Sequence, residues 1–421
     1  MLFSATAIAQ IDNLANVSAE WVRTPARNAA TDAGDIAIYN PAGLVRLPNG
    51  FNINIGNQSM FRKPTHTYDL GFGMGEQSFS QDGADLFLPN FYASYHKDKW
   101  AFFTGVFMSG GGATVNFPTG SITTDMIGLQ ALGAAQGAYG MVENQHLKAS
   151  SLYLTSTIGI SHSFTDNISI AAAGRFINAT NKMEGGMTLT QSPIALPDAP
   201  LLLNTEDKAS GFGGVVSLMV KASSDLDLTI RYETAVALDF KTTTNQDDFG
   251  VTVNGDKSRR DLPGVLAIGG AYAANSLVKV YADVNYYFQK SANWDNSTPA
   301  TNNVSWSEMA GNAATYALAT TIRTSPKTML SCGGAYTNFM YSNLEGYYTK
   351  TGAYETAPND NFNLNVGGSY KITKAVKMTL AYMHIFYQDQ TINAALMQPM
   401  IVPVKVTNKA DVVAIGFNMQ F

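Results

Sequence analysis

The stretch LDLTIRYE, from Leu226 to Glu233, alternates apolar and polar residues along its whole length. Because successive side chains of a β-strand point to opposite faces, this pattern predicts a strand with one apolar and one polar face. The apolar face holds Leu226, Leu228, Ile230 and Tyr232, and the polar face holds Asp227, Thr229, Arg231 and Glu233. Such a strand needs an apolar environment on one side and a polar one on the other.

The same alternation recurs along most of the chain after residue 50, for example from Val278 to Tyr286. The repeating segments are about ten residues long, which is the length that a tilted strand needs to cross a bilayer. The predicted strands, fourteen in number, lie near residues 50–62, 89–97, 99–109, 149–163, 168–182, 210–222, 226–241, 262–273, 277–290, 325–337, 340–350, 361–371, 376–389 and 406–421. The predicted fold class is all-β, an antiparallel transmembrane β-barrel of about 14 strands.

The connections between these segments fall into two classes. The short ones are polar turns, namely HKDK (96–99), FTDN (164–167), SSDLD (223–227), AANS (273–276) and KITKA (371–375). The long ones run near residues 63–88, 110–147, 184–209, 243–262, 291–323 and 391–405. Short turns on one side and long loops on the other are typical of outer-membrane barrels, with the turns in the periplasm.

Composition narrows the class of protein. Only 14% of the 421 residues are charged and the net charge is -5, so the basic surface expected of a nucleic-acid binder is missing. Cys332 is the single cysteine, which excludes an internal disulfide and a cysteine-rich metal site. No stretch has the 18 uninterrupted apolar residues of a transmembrane helix, so we expect any membrane crossing to be made by strands.

The two ends of the chain carry targeting features. MLFSATAIAQ has an apolar run followed by Ala7-Ile8-Ala9, which predicts that residues 1–9 are a signal-peptide remnant. VVAIGFNMQF alternates up to Phe421 and is similar to the C-terminal signal that hands barrels to the outer-membrane assembly machinery. These features predict an integral, multi-pass protein of the bacterial outer membrane with the lipid bilayer as its surroundings.

Motifs of known catalytic chemistry are missing from the sequence. The five histidines include no HExxH spacing, the serines form no GxSxG elbow, and the glycine runs lack the Lys-Ser/Thr of a phosphate loop. A lipase-like serine and histidine pair stays open as a minor alternative. We therefore expect a protein that is not an enzyme and that has no cofactor, no metal and no nucleic-acid partner.

The predicted external loops are apolar, although the loops of a polar-solute porin are expected to be charged. Exposed apolar clusters usually mark a binding surface, which predicts capture of a hydrophobic molecule. The candidate capture residues are Met126, Leu129, Leu132, Met187, Leu189, Leu196, Leu201 and Leu203. Met126, Leu129 and Leu132 have helical spacing, so a short loop helix is expected there. The alternative is that these loops pack on each other.

Several stretches resemble the FadL/TodX family of outer-membrane transporters for long-chain fatty acids and aromatic hydrocarbons. They are RNAATDAGDIAIYNPAGL (27–44), LPNFYASYHKDKWAFFTGVF (88–107), SGFGGVVSLMVKASSDLDLTIRYETAVALDF (210–240), LPGVLAIGGAYAANSLVKVYADVNY (262–286) and the last strand. The resemblance implies a hatch at residues 10–48 inside a barrel formed by residues 49–421. It also implies that Asn40, Pro41 and Ala42 are the hatch motif, and that the third strand opens the wall at Ser109, Gly110, Gly111 and Gly112.

The resemblance implies passive uptake of hydrophobic small molecules, with loop capture followed by hatch-gated lateral diffusion through the barrel wall. We expect the protein to be a monomer. If the ligand carries a carboxylate, the inward-facing cations Arg175, Arg231 and Lys279 are candidates to bind it. The alternative for these cations is pairing with Asp227, Glu233 and Asp283. For the whole protein, the alternatives are a docking or secretion accessory that holds protein partners, and a general polar porin.

Overall fold

The computed structural model describes residues 18–71, 73, 75–294, 305–397 and 400–421. The predicted signal-peptide remnant lies outside the described residues. The strands in chain order are β1 Gly50–Arg62, β2 Thr65–Tyr68, β3 Gln77–Ser80, β4 Asp85–Lys97, β5 Trp100–Phe117, β6 Met141–Ser163, β7 Ile168–Thr190, β8 Ala199–Lys221, β9 Leu226–Glu233, β10 Asp239–Asp247, β11 Lys257–Arg259, β12 Val265–Ala273, β13 Val278–Tyr287, β14 Asn312–Arg323, β15 Thr328–Met340, β16 Asn361–Lys371, β17 Val376–Tyr387, β18 Gln390–Met397, β19 Met400–Thr407 and β20 Lys409–Gln420.

Fourteen of these strands close into an antiparallel barrel, which confirms the predicted fold class. The order around the wall is β1, β4, β5, β6, β7, β8, β9, β12, β13, β14, β15, β16, β17 and β20. The ring closes between the first and the last strand, in a register from Asn52–Gln420 to Arg62–Ala410. Closure pairs the two edges that an open sheet would leave exposed.

The two faces of the wall have opposite character. Outward-facing residues such as Ile158, Phe212 and Leu318 are 73%, 78% and 61% exposed, as expected of side chains that meet lipid. In LDLTIRYE, the apolar residues point outward, whereas Thr229, Arg231 and Glu233 are buried inside the barrel. The alternation in the sequence therefore separates a lipid face from a polar lumen.

The lumen contains the N-terminal segment, which is folded into short helices. They are α1 Ala19–Arg23, α2 Ile36–Tyr39 and a 3-10 helix, Pro41–Arg46. Nearly every residue from Ser18 to Leu47 is buried. We call residues 18–47 the hatch. The later helices, α3 Ile122–Ala134, α4 Trp306–Ala310 and α5 Leu344–Thr351, lie in the long loops.

The long loops form a compact layer over one end of the barrel, which we call the cap. Its four-stranded sheet has the order β18, β19, β2 and β3, and α3, α4 and α5 lie beside it. A shared apolar core unites these elements; its larger members include Tyr68, Phe117, Ile122, Met126, Trp294, Tyr348 and Val404. The loops are thus folded on each other.

One predicted strand is wrong, and one strand of the wall is not among those predicted. The stretch 340–350 is mostly the helix α5, which Asn343 caps by accepting a hydrogen bond from the Gly346 N–H at 2.9 Å. The strand β14, at Asn312–Arg323, was predicted as part of a loop. Its run of alanines gives little contrast between the faces, and two of them, Ala317 and Ala319, lie in the apolar cluster that contains the hatch residues. The two errors cancel in the strand count.

Strand lengths also differ from the prediction. Strands β6, β7 and β8 are each 23 residues long: β6 extends into the predicted loop 110–147, and β7 and β8 extend into the predicted loop 184–209. In the part of β7 and β8 that faces lipid, outward residues such as Phe176 and Phe212 are apolar. Beyond it, the outward residues Lys182, Glu206 and Lys208 are charged, so the apolar alternation is lost. The predicted strand 226–241 ends at Glu233. The separate strand β10 follows, and it pairs with residues 203–208 of β8.

Candidate functional site

The hatch motif forms a turn that its own side chain holds. The Asn40 Oδ1 accepts a hydrogen bond from the Gly43 N–H at 3.2 Å, and its Nδ2 donates to the Ala30 carbonyl at 3.0 Å. Pro41 begins the 3-10 helix, where its missing N–H costs nothing. Asn40 thereby joins two parts of the hatch that are ten residues apart.

The wall holds the same turn through its serines and one arginine. The Ala42 carbonyl accepts from Ser169 Oγ at 2.8 Å and from Ser161 Oγ at 3.4 Å. Arg231 Nη1 donates to the Ile38 carbonyl at 2.6 Å and also to that of Tyr39. The hatch motif is therefore attached to strands β6, β7 and β9.

The hatch packs where the wall has glycines. An added Cβ would lie 2.6 Å from Asn28 at Gly269, 2.9 Å from Pro25 at Gly333, 2.5 Å from Arg23 at Gly367, and 2.9 Å from Ala19 at Gly416. These contacts are closer than van der Waals packing allows, so the wall accepts the hatch because these positions have no side chain. These four glycines are not among the predicted site residues, although glycine within an alternating strand is a known sign of close backbone approach.

A buried ion network stabilises the hatch itself. Arg27 pairs with Asp35 at 2.6 Å and with Asp32 at 2.7 Å, and Arg23 also reaches Asp32 at 2.6 Å. The Glu20 carboxylate accepts from Thr379 Oγ1 at 2.9 Å, which ties the first helix to the wall. The acidic and basic residues of NAATDAGD and its neighbours therefore neutralise each other inside the barrel.

The three predicted carboxylate-binding cations already have acidic neighbours. Arg175 and Arg231 both pair with Glu233, the latter at 3.1 Å. Lys279 approaches Asp227 at 3.6 Å and is the more exposed cation, with 27% of its side chain accessible. Asp283, the third predicted partner, instead accepts from the Asn28 N–H of the hatch at 2.7 Å.

The third wall strand, β5, departs from regular pairing where the SGGG segment lies. Its ladder with β6 shifts register between Met108 and Gly110 and again between Gly111 and Ala113. Ser109 and Gly112 are thus the extra residues of two β-bulges. Ser109 is buried, and its Oγ lies 2.5 Å from Thr155 Oγ1 on β6.

On its other side, β5 separates from β4. The ladder between them starts at Lys97–Trp100 and ends at Phe91–Val106. Contact resumes where the Thr114 N–H donates to Asp85 Oδ1 at 3.0 Å. In the part of the chain that the structure describes, residues 107–113 of β5 therefore pair with β6 and not with β4. We call this interruption the wall gap.

Aromatic side chains line the inner side of the wall gap. Phe107 lies at its edge, is buried, and stands with its ring centroid 5.9 Å from that of Tyr92. Phe103 and the hatch residues Leu44 and Leu47 belong to the same apolar cluster. An apolar surface thus connects the hatch to the interrupted part of the wall.

The predicted capture residues fall into a buried group and a more exposed group. Met126, Met187, Leu189 and Leu203 are buried, which is the outcome expected if the loops pack on each other. Leu129, Leu132 and Leu201 are half-buried, and Leu196 is 43% exposed. The expected loop helix is present as α3, and its N-cap Ser121 and Thr124 form a capping box.

The cap buries two titratable groups at the start of α3. Burial lowers the pKa of His66 to about 3, and its Nε2 accepts from the Ile122 N–H at 3.0 Å. Burial raises the pKa of the nearby Glu355 carboxyl, which accepts from the Thr123 N–H at 3.4 Å. Both groups are therefore held closer to their neutral forms than they would be in water.

Among the described residues, no cluster of His, Cys, Asp and Glu is arranged to hold a metal ion. The described helices also include none that is long and apolar enough to cross a membrane.

These features define a class of protein: a plugged β-barrel of the membrane-spanning kind, with a bulged third strand. Within this class, the chain has the fold of the FadL and TodX channels. It matches a FadL homologue from Pseudomonas aeruginosa with a TM-score of 0.69 at 12% identity, covering 96% of this chain and 98% of that one. The toluene transporter TodX from Pseudomonas putida gives 0.65 at 13%, covering 98% and 100%.

The Ralstonia pickettii toluene transporter TbuX gives a TM-score of 0.62 at 13% identity, covering 98% of this chain and 99% of that one. No protein-family model matches the sequence, and no curated protein matches it. At such low identity, the likeness establishes the shared fold. It confirms the resemblance seen in the sequence at that level.

Proposed function

We propose that this protein is an outer-membrane channel for the passive uptake of hydrophobic small molecules, which leave the barrel sideways through the wall gap. The observation that carries this proposal is the end of the β4–β5 ladder at Phe91–Val106, next to an aromatic surface that reaches the hatch. The structural neighbours described as toluene transporters support the same function. We also propose that the protein is a monomer and that the outer-membrane assembly machinery inserts it into the membrane.

A lateral exit suits an apolar solute for a physical reason. Each methylene group transferred from an apolar environment into water costs about 0.8 kcal/mol. A route from the cap through an aromatic lumen into lipid avoids that cost at each step. We assign Ser109, Gly110, Gly111 and Gly112 to this opening, because the bulges they form draw β5 away from regular pairing.

In this proposal, the motif Asn40, Pro41 and Ala42 positions the hatch beside the wall gap. The half-exposed residues Leu129, Leu132, Leu196 and Leu201 provide the first contact with solute, and their buried counterparts Met126, Met187, Leu189 and Leu203 shape the cap beneath them. Solute reaches the lumen by movement within the cap.

The charge pattern favours neutral substrates over fatty acids. A carboxylate would have to displace Glu233 from Arg175 and Arg231, whereas an aromatic hydrocarbon requires no such exchange. Lys279, with its longer ion pair, is the cation most available to an acid. We therefore rank aromatic hydrocarbons first and long-chain fatty acids second.

The experiment is uptake by Gram-negative cells that lack their own channel of this kind. Cells that produce the full chain should accumulate labelled toluene faster than cells that produce an unrelated barrel, and labelled oleate should show a smaller gain. A variant that lacks Ser109 and Gly112 is the matched control, since it should straighten β5. Equal toluene uptake by all three strains would refute the proposal.

The docking alternative needs apolar loop surface for a protein partner, but the cap uses most of its large apolar residues in its own core. The porin alternative needs a wide aqueous lumen, but the hatch is packed against the wall on several sides. Neither alternative has an observation that favours it over uptake.

A further inference from the structure

One feature of the wall gap does not fit a channel for pure hydrocarbons. Asn90 is the first residue of β4 beyond the end of its ladder with β5, and it is buried, with 3% of the residue exposed. Within the described chain, neither its Oδ1 nor its Nδ2 has a hydrogen-bond partner. Burying such atoms without partners is costly, so an amide in this position requires an explanation.

The wall makes room for this amide. Asn90 pairs in register with Gly56 of β1, and a Cβ at Gly56 would lie 3.0 Å from the Asn90 Oδ1. The amide therefore lies against bare backbone, on the lumen side of the strand. An apolar side chain at either position would fill this space without the cost of a polar group.

Two further buried polar atoms without hydrogen-bond partners among the described residues lie near Asn90 on strands β4 and β1. Ser94 points inward from β4 and is buried, and its Oγ has no partner among the described residues. Asn54 of β1 pairs in register with Tyr92, which lies between Asn90 and Ser94; it is fully buried, and its Oδ1 has no hydrogen-bond partner in the described part of the chain. Because inward residues alternate along paired strands, these atoms form a line on one side of the lumen.

The β5 side of this line is aromatic: Phe103 pairs in register with Ser94, and Phe107 lies in the same apolar cluster as Tyr92. A ligand that fits both sides has an aromatic body and a small group that donates and accepts hydrogen bonds. A hydrocarbon would satisfy the aromatic side alone.

We propose that the preferred substrates of the wall gap are small aromatic alcohols, with a hydroxyl that binds Ser94 or Asn54 within the lumen and Asn90 at the wall gap. This inference rests on the proposed function and narrows its substrate class from hydrocarbons to hydroxylated aromatics. It assigns to Asn90 a role in specificity.

The test compares phenol with toluene, which have nearly the same shape and differ in carrying a hydroxyl or a methyl group. Initial uptake of both labelled compounds is measured at pH 7 in cells that produce the full-length wild-type chain or the Asn90→Leu variant. We expect the phenol-to-toluene uptake ratio, corrected for cells without the channel, to fall by about two- to tenfold in Asn90→Leu. Using a ratio removes the effect of differing amounts of folded protein.

Two variants serve as controls. Asn90→Ser keeps a hydroxyl at the wall gap and should retain part of the preference. Asn363→Leu makes the same change of size and polarity in β16, where the Asn363 Oδ1 already accepts from the Ala335 N–H at 3.1 Å, and should leave the ratio unchanged.

The outcomes separate the two proposals. If both compounds enter through the wild-type channel and Asn90→Leu leaves their ratio unchanged, the role of Asn90 is refuted and the proposed function stands. A fall of the same size in Asn363→Leu would also refute it. If the protein increases the uptake of neither compound, the proposed function itself fails.

Discussion

At the scale of single residues, Asn40 shows how one side chain can hold a plug together. It binds the Gly43 N–H and the Ala30 carbonyl from a fully buried position. Gly43 is constrained in turn, because a Cβ there would overlap the Asn40 side chain. The motif thus depends on an asparagine and on the glycine that leaves room for it.

We predict that Asn40→Ala and Gly43→Ala have the same effect. Each removes or displaces the Asn40 amide, which takes its donor from the buried Ala30 carbonyl at a cost of about 1–3 kcal/mol. The hatch should loosen while the barrel keeps its ladders, so hydrogen exchange should rise in residues 18–47 and stay unchanged in the wall. A faster exchange of the wall strands in either variant would contradict this assignment.

His66 gives a second prediction at this scale. Its pKa in the folded cap is about 3, against 6.5 for an ordinary histidine, because burial disfavours the charged form. The unfolded cap therefore binds more protons between these values, and the cap should lose stability as the pH falls from about 6.5 towards 3.

The measurement is hydrogen exchange of β2 and α3 as a function of pH, compared at matched intrinsic rates. His66→Gln should abolish most of the loss of protection. Glu355, with its raised pKa, has the opposite sign and loses stability as the pH rises, so it cannot produce the acid effect. An unchanged acid profile in His66→Gln would rule out His66 as its source.

At the scale of elements, β5 changes partners along its length. Its lower part pairs with both β4 and β6, and its upper part keeps the β6 ladder with two extra residues. Bulges increase local twist and bend, which is how a strand can move away from one neighbour while remaining paired with the other.

We predict that deleting both Ser109 and Gly112 closes the wall gap. Each is the unpaired residue of its bulge, so their removal leaves the flanking residues on their present faces and gives β5 a regular ladder. Uptake of apolar solutes should fall to near the level of cells without the channel. Heat-modifiable gel mobility should stay that of a folded barrel, and full uptake in a folded variant would exclude this exit.

At the scale of the whole molecule, the barrel, hatch and cap form three nested parts. The wall alone would enclose a lumen, since fourteen strands give more space than their own side chains fill. The hatch occupies that space because small wall residues and glycines allow close contact. The cap then covers one end with its own apolar core.

This arrangement predicts low ion conductance for the intact protein in planar bilayers. A variant that lacks residues 18–47 should conduct strongly, because the largest body in the lumen is then missing. A variant with an equally long deletion in the cap, where the hatch stays in place, is the comparison. High conductance by the wild-type protein would support the porin alternative instead.

The sequence by itself determined the barrel, because alternation is a local property that each strand carries independently of its neighbours. It determined the strand count, most of the short turns and the lumen-facing side of Arg175 and Arg231. It did not predict β14, because alanines give both faces of that strand similar polarity. It predicted a strand at α5, because the aromatic residues there are also common in strands.

Only the tertiary structure decided how distant parts meet. That Met126 is buried in a cap core, that Glu233 neutralises two cations, and that four wall glycines receive the hatch are all contacts between residues far apart in the chain. The wall gap was also decided by the tertiary structure, because whether β4 and β5 pair depends on both strands. Local pattern fixes which face a residue takes, whereas packing in three dimensions fixes which partner it finds there.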